Sequence, residues 1–443
     1  MNVDTRVRCA AAPAPLQALD DVLAGRLGAS GLRRVVLDPW RHGLSTLVHD
    51  GPSDAGSLAE GAELLRTKYK PGRKLTAYYQ PPDAARGATP QLVVSWHAEP
   101  QATVGIGGSR DARVTVLVAP ADPSMQHLRR LSRTDHVAEL VARLTGRPIP
   151  EPGTVRLSTV RYRPGQRHVL RARTSTGAGW FLKTDRDDSG ARAVEAAEVL
   201  GPLLARRCPA AAVAEPVGYS ADDRAAVWRE SSGQPLRYRL ATDHAAGTRL
   251  VGLVGAALRV VHDAVPRLHP TVGHDAGAEV AATLRAGEHI AVLLPDVGAT
   301  YAAVAADVAA GLDRLPGEAP GFTHGDLKCD NLLVDGDHLR ILDLDRSSWA
   351  DPALDLAKFL ADLRWWFPPG ERADAFVTAL HAGYGTTEPS RWARARLLAS
   401  LFQLKLAARR CAVHDLDWAV QVRDRVAAAA AVTGQLLAGR RSR

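Results

Sequence analysis

At 443 residues, 46% hydrophobic and 23% charged, the chain has the length for two or three domains and an ordinary globular composition, which excludes a disordered or fibrous protein. The net charge of +8 comes from scattered arginines, with only Gly439-Arg-Arg-Ser-Arg443 clustered, so no nucleic-acid partner is expected. No stretch approaches the roughly 20 apolar residues that cross a bilayer, since the richest, Leu250 to Val261, is broken by glycines and Arg259.

The first residues, with Asp4, Arg6 and Arg8 and no apolar segment behind them, do not read as a secretory leader, and a cytoplasmic location without membrane attachment is expected. Cys9, Cys208, Cys329 and Cys411 are far apart and form neither a metal-binding spacing nor a disulfide framework.

Residues 1–148 read as a small α+β domain. Short strands are expected at Arg33 to Leu37, Leu64 to Tyr69, Leu75 to Tyr79, Leu92 to Trp96 and Val114 to Val118, and helices from Asp122 and over His136 to Leu144. Thr67-Lys-Tyr-Lys-Pro-Gly-Arg73 is echoed by Val160-Arg-Tyr-Arg-Pro-Gly-Gln-Arg167, and both read as hairpins turning at Pro-Gly. The shared Tyr-x-Pro-Gly suggests a partial, degenerate copy of the second hairpin in the first domain.

From residue 149 a new unit begins. Val155 to Tyr162, His168 to Arg173 and Gly179 to Thr184 make three strands, the last carrying Lys183 near its end. Ala191 to Leu204 follows as a helix bearing Glu195 and Glu198, with Val199, Leu203 and Leu204 as its apolar stripe and a shortened or kinked last turn at Gly201-Pro202. Val213 to Tyr219 and Arg224 to Trp228 read as further strands. The segment Trp228-Arg-Glu-Ser-Ser-Gly-Gln-Pro-Leu236 leads into a long amphipathic helix from Ala241 to Val265.

The chemistry concentrates in Phe322-Thr-His-Gly-Asp-Leu-Lys-Cys-Asp-Asn331, followed twelve residues after its Asn by Asp343 at the end of an apolar strand. Phosphoryl transfer asks for a carboxylate near a substrate hydroxyl, plus an amide oxygen and a second carboxylate to hold Mg²⁺ against nucleotide phosphates. Asp326, Asn331 and Asp343 supply those groups. An Asp and an Asn five residues apart cannot share a helix face, so a loop must fold back to aim both inward.

His324-Gly-Asp-x-x-x-x-Asn331, then Ile-Leu-Asp343, then Asp351-Pro-x-x-Asp355-Leu-Ala resembles the aminoglycoside phosphotransferase family of the protein-kinase-like superfamily. The resemblance implies a two-lobed fold, with a β-rich N-lobe and hinge over 149–236 and a mainly helical C-lobe over 237–443. It implies ATP and Mg²⁺ as cofactors, Asp326 as catalytic base, and Asn331 and Asp343 as metal ligands. Lys183 is the implied phosphate ligand, paired to Glu195, and Trp228 and Glu230 lie in the implied adenine-binding hinge. His324 and Asp355 are implied braces. Lys328 makes the loop similar to that of protein Ser/Thr kinases and is counted with the catalytic residues. The tip Arg163-Pro-Gly-Gln-Arg-His168 departs from a glycine-rich phosphate loop, and Arg167 is expected to be exposed there.

A phosphotransferase acting on a small-molecule hydroxyl is therefore expected. The alternatives are a kinase acting on Ser/Thr of a peptide and a nucleotide-binding scaffold; the intact Asp326, Asn331, Asp343 and Lys183 argue against the scaffold. In the expected acceptor region, Arg364 to Leu437, cations outnumber carboxylates, so a neutral or anionic acceptor is expected rather than a polycationic one. Trp365 and Trp366 are candidates for stacking on it.

Overall fold

A computed structural model describes residues 17–39, 41–42, 61–80, 92–101, 113–118, 122–148, 155–264 and 275–441. Cys9 and the other N-terminal residues, on which the expectation of no secretory leader rests, residues 149–154 and the extreme C-terminus lie outside the described residues.

The N-terminal strands β1 (Glu63–Lys70), β2 (Lys74–Gln80), β3 (Leu92–His97) and β4 (Val114–Val118) form one antiparallel sheet in chain order. The stretch 33–37, expected as a strand, lies in the helix Gly28–Leu37. Leu32, Val35 and Val36 are all buried, and their i, i+3, i+4 spacing is one helical face, a period that five residues alone do not reveal.

The second sheet contains β5 (Arg156–Arg163), β6 (Arg167–Arg173) and β7 (Gly179–Asp185), continued by Ala225–Arg229 and Pro216–Ser220. The expected strand from Val213 divides. Ala211–Val213 pairs in parallel with His338–Ile341 of the C-lobe, while Pro216–Ser220 stays in the N-lobe sheet. Gln234–Pro235 pairs with Leu333 and Val334, so a second strand of the connecting region is also bonded to the C-lobe.

Helix Thr134–Thr145 buries Val137, Leu140 and Val141 against Leu157, Leu170, Leu182 and Val227 of the five-stranded sheet. By packing it belongs with that sheet, and we propose that the N-lobe unit starts ahead of it rather than at residue 149. Helix Ser189–Arg207 runs on through Pro202 without shortening there. The long helix expected from Ala241 is two, Leu236–Thr242 and His244–His262, because the Asp243 side chain accepts a hydrogen bond from the Ala246 N–H (3.0 Å) and caps the second.

The C-lobe is helical: Ala276–Leu293, Pro295–Asp313, Ala353–Trp366, Glu371–Tyr384, Pro389–Arg410 and Trp418–Arg441. Its core is continuous with that of the N-terminal sheet, Leu75, Tyr79 and Trp96 belonging to the same buried cluster as Phe359, Phe376 and Trp418. The Thr67 hydroxyl lies 2.9 Å from His414 Nδ1 and Arg73 pairs with Glu288 (2.6 Å), so β1 and its turn are fixed against C-lobe helices. No helix among the described residues is long and apolar enough to cross a membrane.

Candidate active site

The loop after strand Gly321–Thr323 is held from beneath. The fully buried Asp355, in the first turn of helix Ala353–Trp366, accepts from the His324 N–H (2.6 Å) and the Gly325 N–H (2.9 Å). Asp355 also faces His262 Nε2 (3.3 Å), whose other ring nitrogen lies 2.7 Å from the Tyr384 hydroxyl. His324 spans to the Leu342 carbonyl (2.8 Å) and receives the Asp326 N–H on Nδ1 (3.2 Å). Both histidines position the loop backbone. Gly325 has φ +78°, and a Cβ there would strike the Arg346 carbonyl, so the sharp turn before Asp326 admits only glycine.

That turn leaves Asp326 partly open to the cleft, with Lys328 Nζ donating to its Oδ2 (2.6 Å). Burial alone would raise the Asp326 carboxyl, but the Lys328 ammonium holds it below its ordinary value, so it is ionised and able to accept a proton. Asn331 is buried and spends its Nδ2 on the Asp326 carbonyl (2.9 Å), which leaves its amide oxygen as the free acceptor. Asp343 has φ 65° and ψ 57°, a left-handed conformation that a non-glycine residue holds only under constraint.

Lys183 Nζ donates to Asp343 Oδ1 (2.7 Å) and reaches Asp345 Oδ2 (3.5 Å). Arg167 pairs with Asp185 (2.6 Å) and Asp345 (2.7 Å), so it is a partly buried member of this cluster and not the exposed residue expected. Asp345, buried and beside the charge of Asp343, is pushed up to about 7, while Lys183 helps hold Asp343 well below the usual carboxylate range despite its burial. The Trp228 ring lies under the Lys183 ammonium, 5.9 Å to its centroid, and its Nε1 is buried without a partner among the described residues.

Two expected roles are not met. Glu195 is exposed and forms no pair with Lys183 among the described residues. The helix turns Ala193, Ala196, Ala197, Leu200 and Leu204 inward, and this places Glu195 and Glu198 on the solvent face. Glu230 is also unavailable as a nucleotide ligand through its side chain. Its carboxylate binds Arg171 and Arg173 and its N–H is given to the Gly179 carbonyl (2.9 Å). Trp365 and Trp366 are engaged by arginines, with Arg425 4.2 Å from the first ring and Arg237 5.0 Å from the second.

Among the described residues no three His, Cys, Asp or Glu side chains converge as a metal cage. The donor set nevertheless fits Mg²⁺, which uses one or two carboxylates together with substrate phosphates; here Asp343, the Asn331 amide oxygen and the adjacent Asp345 are hard oxygen donors. The sequence reading overlooked Asp345, although Asp343-Leu-Asp345 places a second carboxylate two residues on.

A family model described as "Phosphotransferase enzyme family" matches residues 159–398, more than half of the chain. The chain belongs to this family. The matched span of the phosphotransferase holds Lys183, Asp326, Asn331 and Asp343 together. No curated protein matches the sequence. Solved structures similar to it include an amicoumacin kinase in complex with AMP-PNP, Ca²⁺ and Ami, at 13% identity over 63% of this chain and 89% of that one, TM-score 0.47. A GDP and kanamycin complex of APH(2″)-IIIa is 16% identical over 67% and 98%, TM-score 0.48. Macrolide 2′-phosphotransferase MphH from Brachybacterium faecium is 21% identical over 68% and 97%, TM-score 0.39.

Proposed function

We propose that this phosphotransferase moves the γ-phosphate of ATP to a hydroxyl of a small molecule. The observation that carries the reading is the ionised Asp326, open to the cleft on a loop braced by Asp355, with Lys183 and Asp343 paired in the same cleft. Asp326 accepts the hydroxyl proton while the acceptor oxygen bonds to the γ-phosphorus; the bond from that phosphorus to the bridging oxygen breaks and ADP leaves. Lys183 and Arg167 bind phosphate oxygens, and Trp228 walls the nucleotide side. Mg²⁺, held by Asp343 and Asn331, neutralises phosphate charge when bound.

Asp326→Asn tests the assignment. Nucleotide binding is retained, while transfer falls by roughly 10² to 10⁴, the range of general-base contributions. Near-full turnover in this variant would remove Asp326 from the role.

A further inference from the structure

Beside Asp326 lies a cavity of about 70 Å³ whose floor and walls are strongly basic. Much of that charge is neutralised locally: Lys328 by Asp326, Lys358 and Lys405 by the buried Glu279, and Arg410 by Asp362. Arg346 and Arg409 line the same cavity and have no carboxylate partner among the described residues.

Two further pairs of cations approach this space. Arg161 and Arg163 share one face of β5, and Arg66 and Lys68 share one face of β1, since alternate strand residues point the same way. None of these makes an ion pair among the described residues, and Arg163 Nε is buried without a hydrogen-bond partner. They act on one another and on the site. Arg66 feels Arg163 and Arg409; Arg163 feels Arg161 and Arg346; Arg161 feels Asp343 and Asp326. Lys68 is pushed down to about 8, first by burial and then by Arg66, Arg163 and Arg161. β1 is fixed to the C-lobe through Thr67, on the face opposite Arg66 and Lys68, and through the Arg73–Glu288 pair at its turn, so the strand that carries these cations is not a loose arm.

Arg66, Lys68 and Arg163 are half-buried while Arg161, Arg346 and Arg409 are exposed, and like charges gathered this closely repel one another, a repulsion that a ligand of opposite charge relieves. Lys183 and Arg167 stand with Asp343 and Asp345 and suit the nucleotide, whereas Arg66 is coupled to Arg409, which borders Asp326. We infer that the acceptor is a small anion, bearing a phosphate ester or clustered carboxylates, gripped between Arg66 of the N-terminal sheet and Arg346 and Arg409 of the C-lobe while its hydroxyl meets Asp326. The inference rests on the phosphotransfer reading of Asp326. It gives the N-terminal unit a function: it completes the acceptor site.

Calorimetry on the full chain saturated with AMP-PNP and Mg²⁺ tests this, with glucose 6-phosphate and citrate as anionic probes, a Ser peptide flanked by glutamates, and kanamycin. Glucose 6-phosphate and citrate bind the loaded protein, more weakly as salt rises, and Arg66→Glu and Arg409→Glu each weaken them about tenfold or more with AMP-PNP affinity unchanged. Arg66→Gln and Arg409→Gln, checked by thermal unfolding, give the same direction if the charge reversals misfold. Anions that bind only by displacing AMP-PNP, or equally well to the variants, overturn the inference, as does tighter binding of kanamycin. Binding confined to the peptide overturns the small-molecule assignment. AMP-PNP binding without anion binding sinks this inference alone, whereas failure to bind AMP-PNP sinks the phosphotransfer reading beneath it.

Discussion

Lys183 Nζ lies 2.7 Å from Asp343 Oδ1, so the cation proposed to reach phosphate rests against the carboxylate proposed to hold metal. The pair is largely buried, and Asp345 stands behind it. Removing the cation leaves two adjacent carboxylates facing each other in a poorly solvated space. Lys183→Met should therefore lower stability by about 2–4 kcal/mol, and Mg²⁺ should raise its melting temperature more than it raises that of the parent protein. An equal Mg²⁺ response in both proteins would show that Asp343 does not bind the metal.

Asp355 accepts two backbone N–H groups beneath the turn that carries Asp326, and no water-facing route can replace it because it is fully buried. Asp355→Ala orphans both donors and should cost about 2–5 kcal/mol. The loss in turnover should exceed any change in nucleotide affinity, since the loop carrying Asp326 loses its support while Lys183 does not. Denaturant unfolding and steady-state kinetics check the two halves separately.

Gly325→Ala offers a sharper probe of the same turn. A methyl group at φ +78° would collide with the Arg346 carbonyl, so either the loop or the Asp343–Arg346 turn must move. Turnover should fall by at least about tenfold, the scale expected when catalytic groups are misplaced by about 1 Å. Activity equal to that of the parent would show that the loop tolerates a different path.

Local order made Asp326, Asn331 and Asp343 legible, because their spacing along one loop and strand end already fixes which groups can converge. Glu195 was misread for a physical reason: the helix buries Ala193, Ala196 and Ala197, small residues that carry little hydrophobic signal, instead of the stripe through Val199 and Leu203. Arg66 and Arg409 lie in separate parts of the chain, and only tertiary packing brings their charges within reach. The repeated Pro-Gly hairpin was legible, and its packing carries the echo further. Tyr69 OH and Gly72 N–H both donate to the Leu23 carbonyl, as Tyr162 OH and Gly165 N–H both donate to Asp122 Oδ2. These paired donors favour the proposal that the N-terminal sheet is a degenerate copy of the N-lobe hairpin.

Acid stability provides the last prediction. His97, His168 and His289 are each pushed from the ordinary 6.5 down to about 4, chiefly by burial. Each is therefore neutral in the folded protein at pH 5 but protonated in the unfolded chain. The unfolded state binds more protons across this interval, so stability rises with pH through it. The contribution is complete above pH 6.5, declines as pH falls towards 4, and is worth about 1.4 kcal/mol per unit of depression for each site. Carboxylates held low by ion pairs lose their contributions only near and below pH 4. Asp345, raised to about 7, is protonated first in the folded protein and offsets part of the fall, so across the interval from 6.5 to 4.5 the three histidines together outweigh this one carboxyl. Urea midpoints measured from pH 7.5 to 4.5 should fall steadily below 6.5. His168 is buried with Nδ1 unpartnered among the described residues and Nε2 3.1 Å from the Thr159 hydroxyl, and His168→Gln should shrink the fall. A midpoint that stays level from pH 6.5 to 4.5 would mean that these rings are protonated in the folded protein and that their burial is relieved by water.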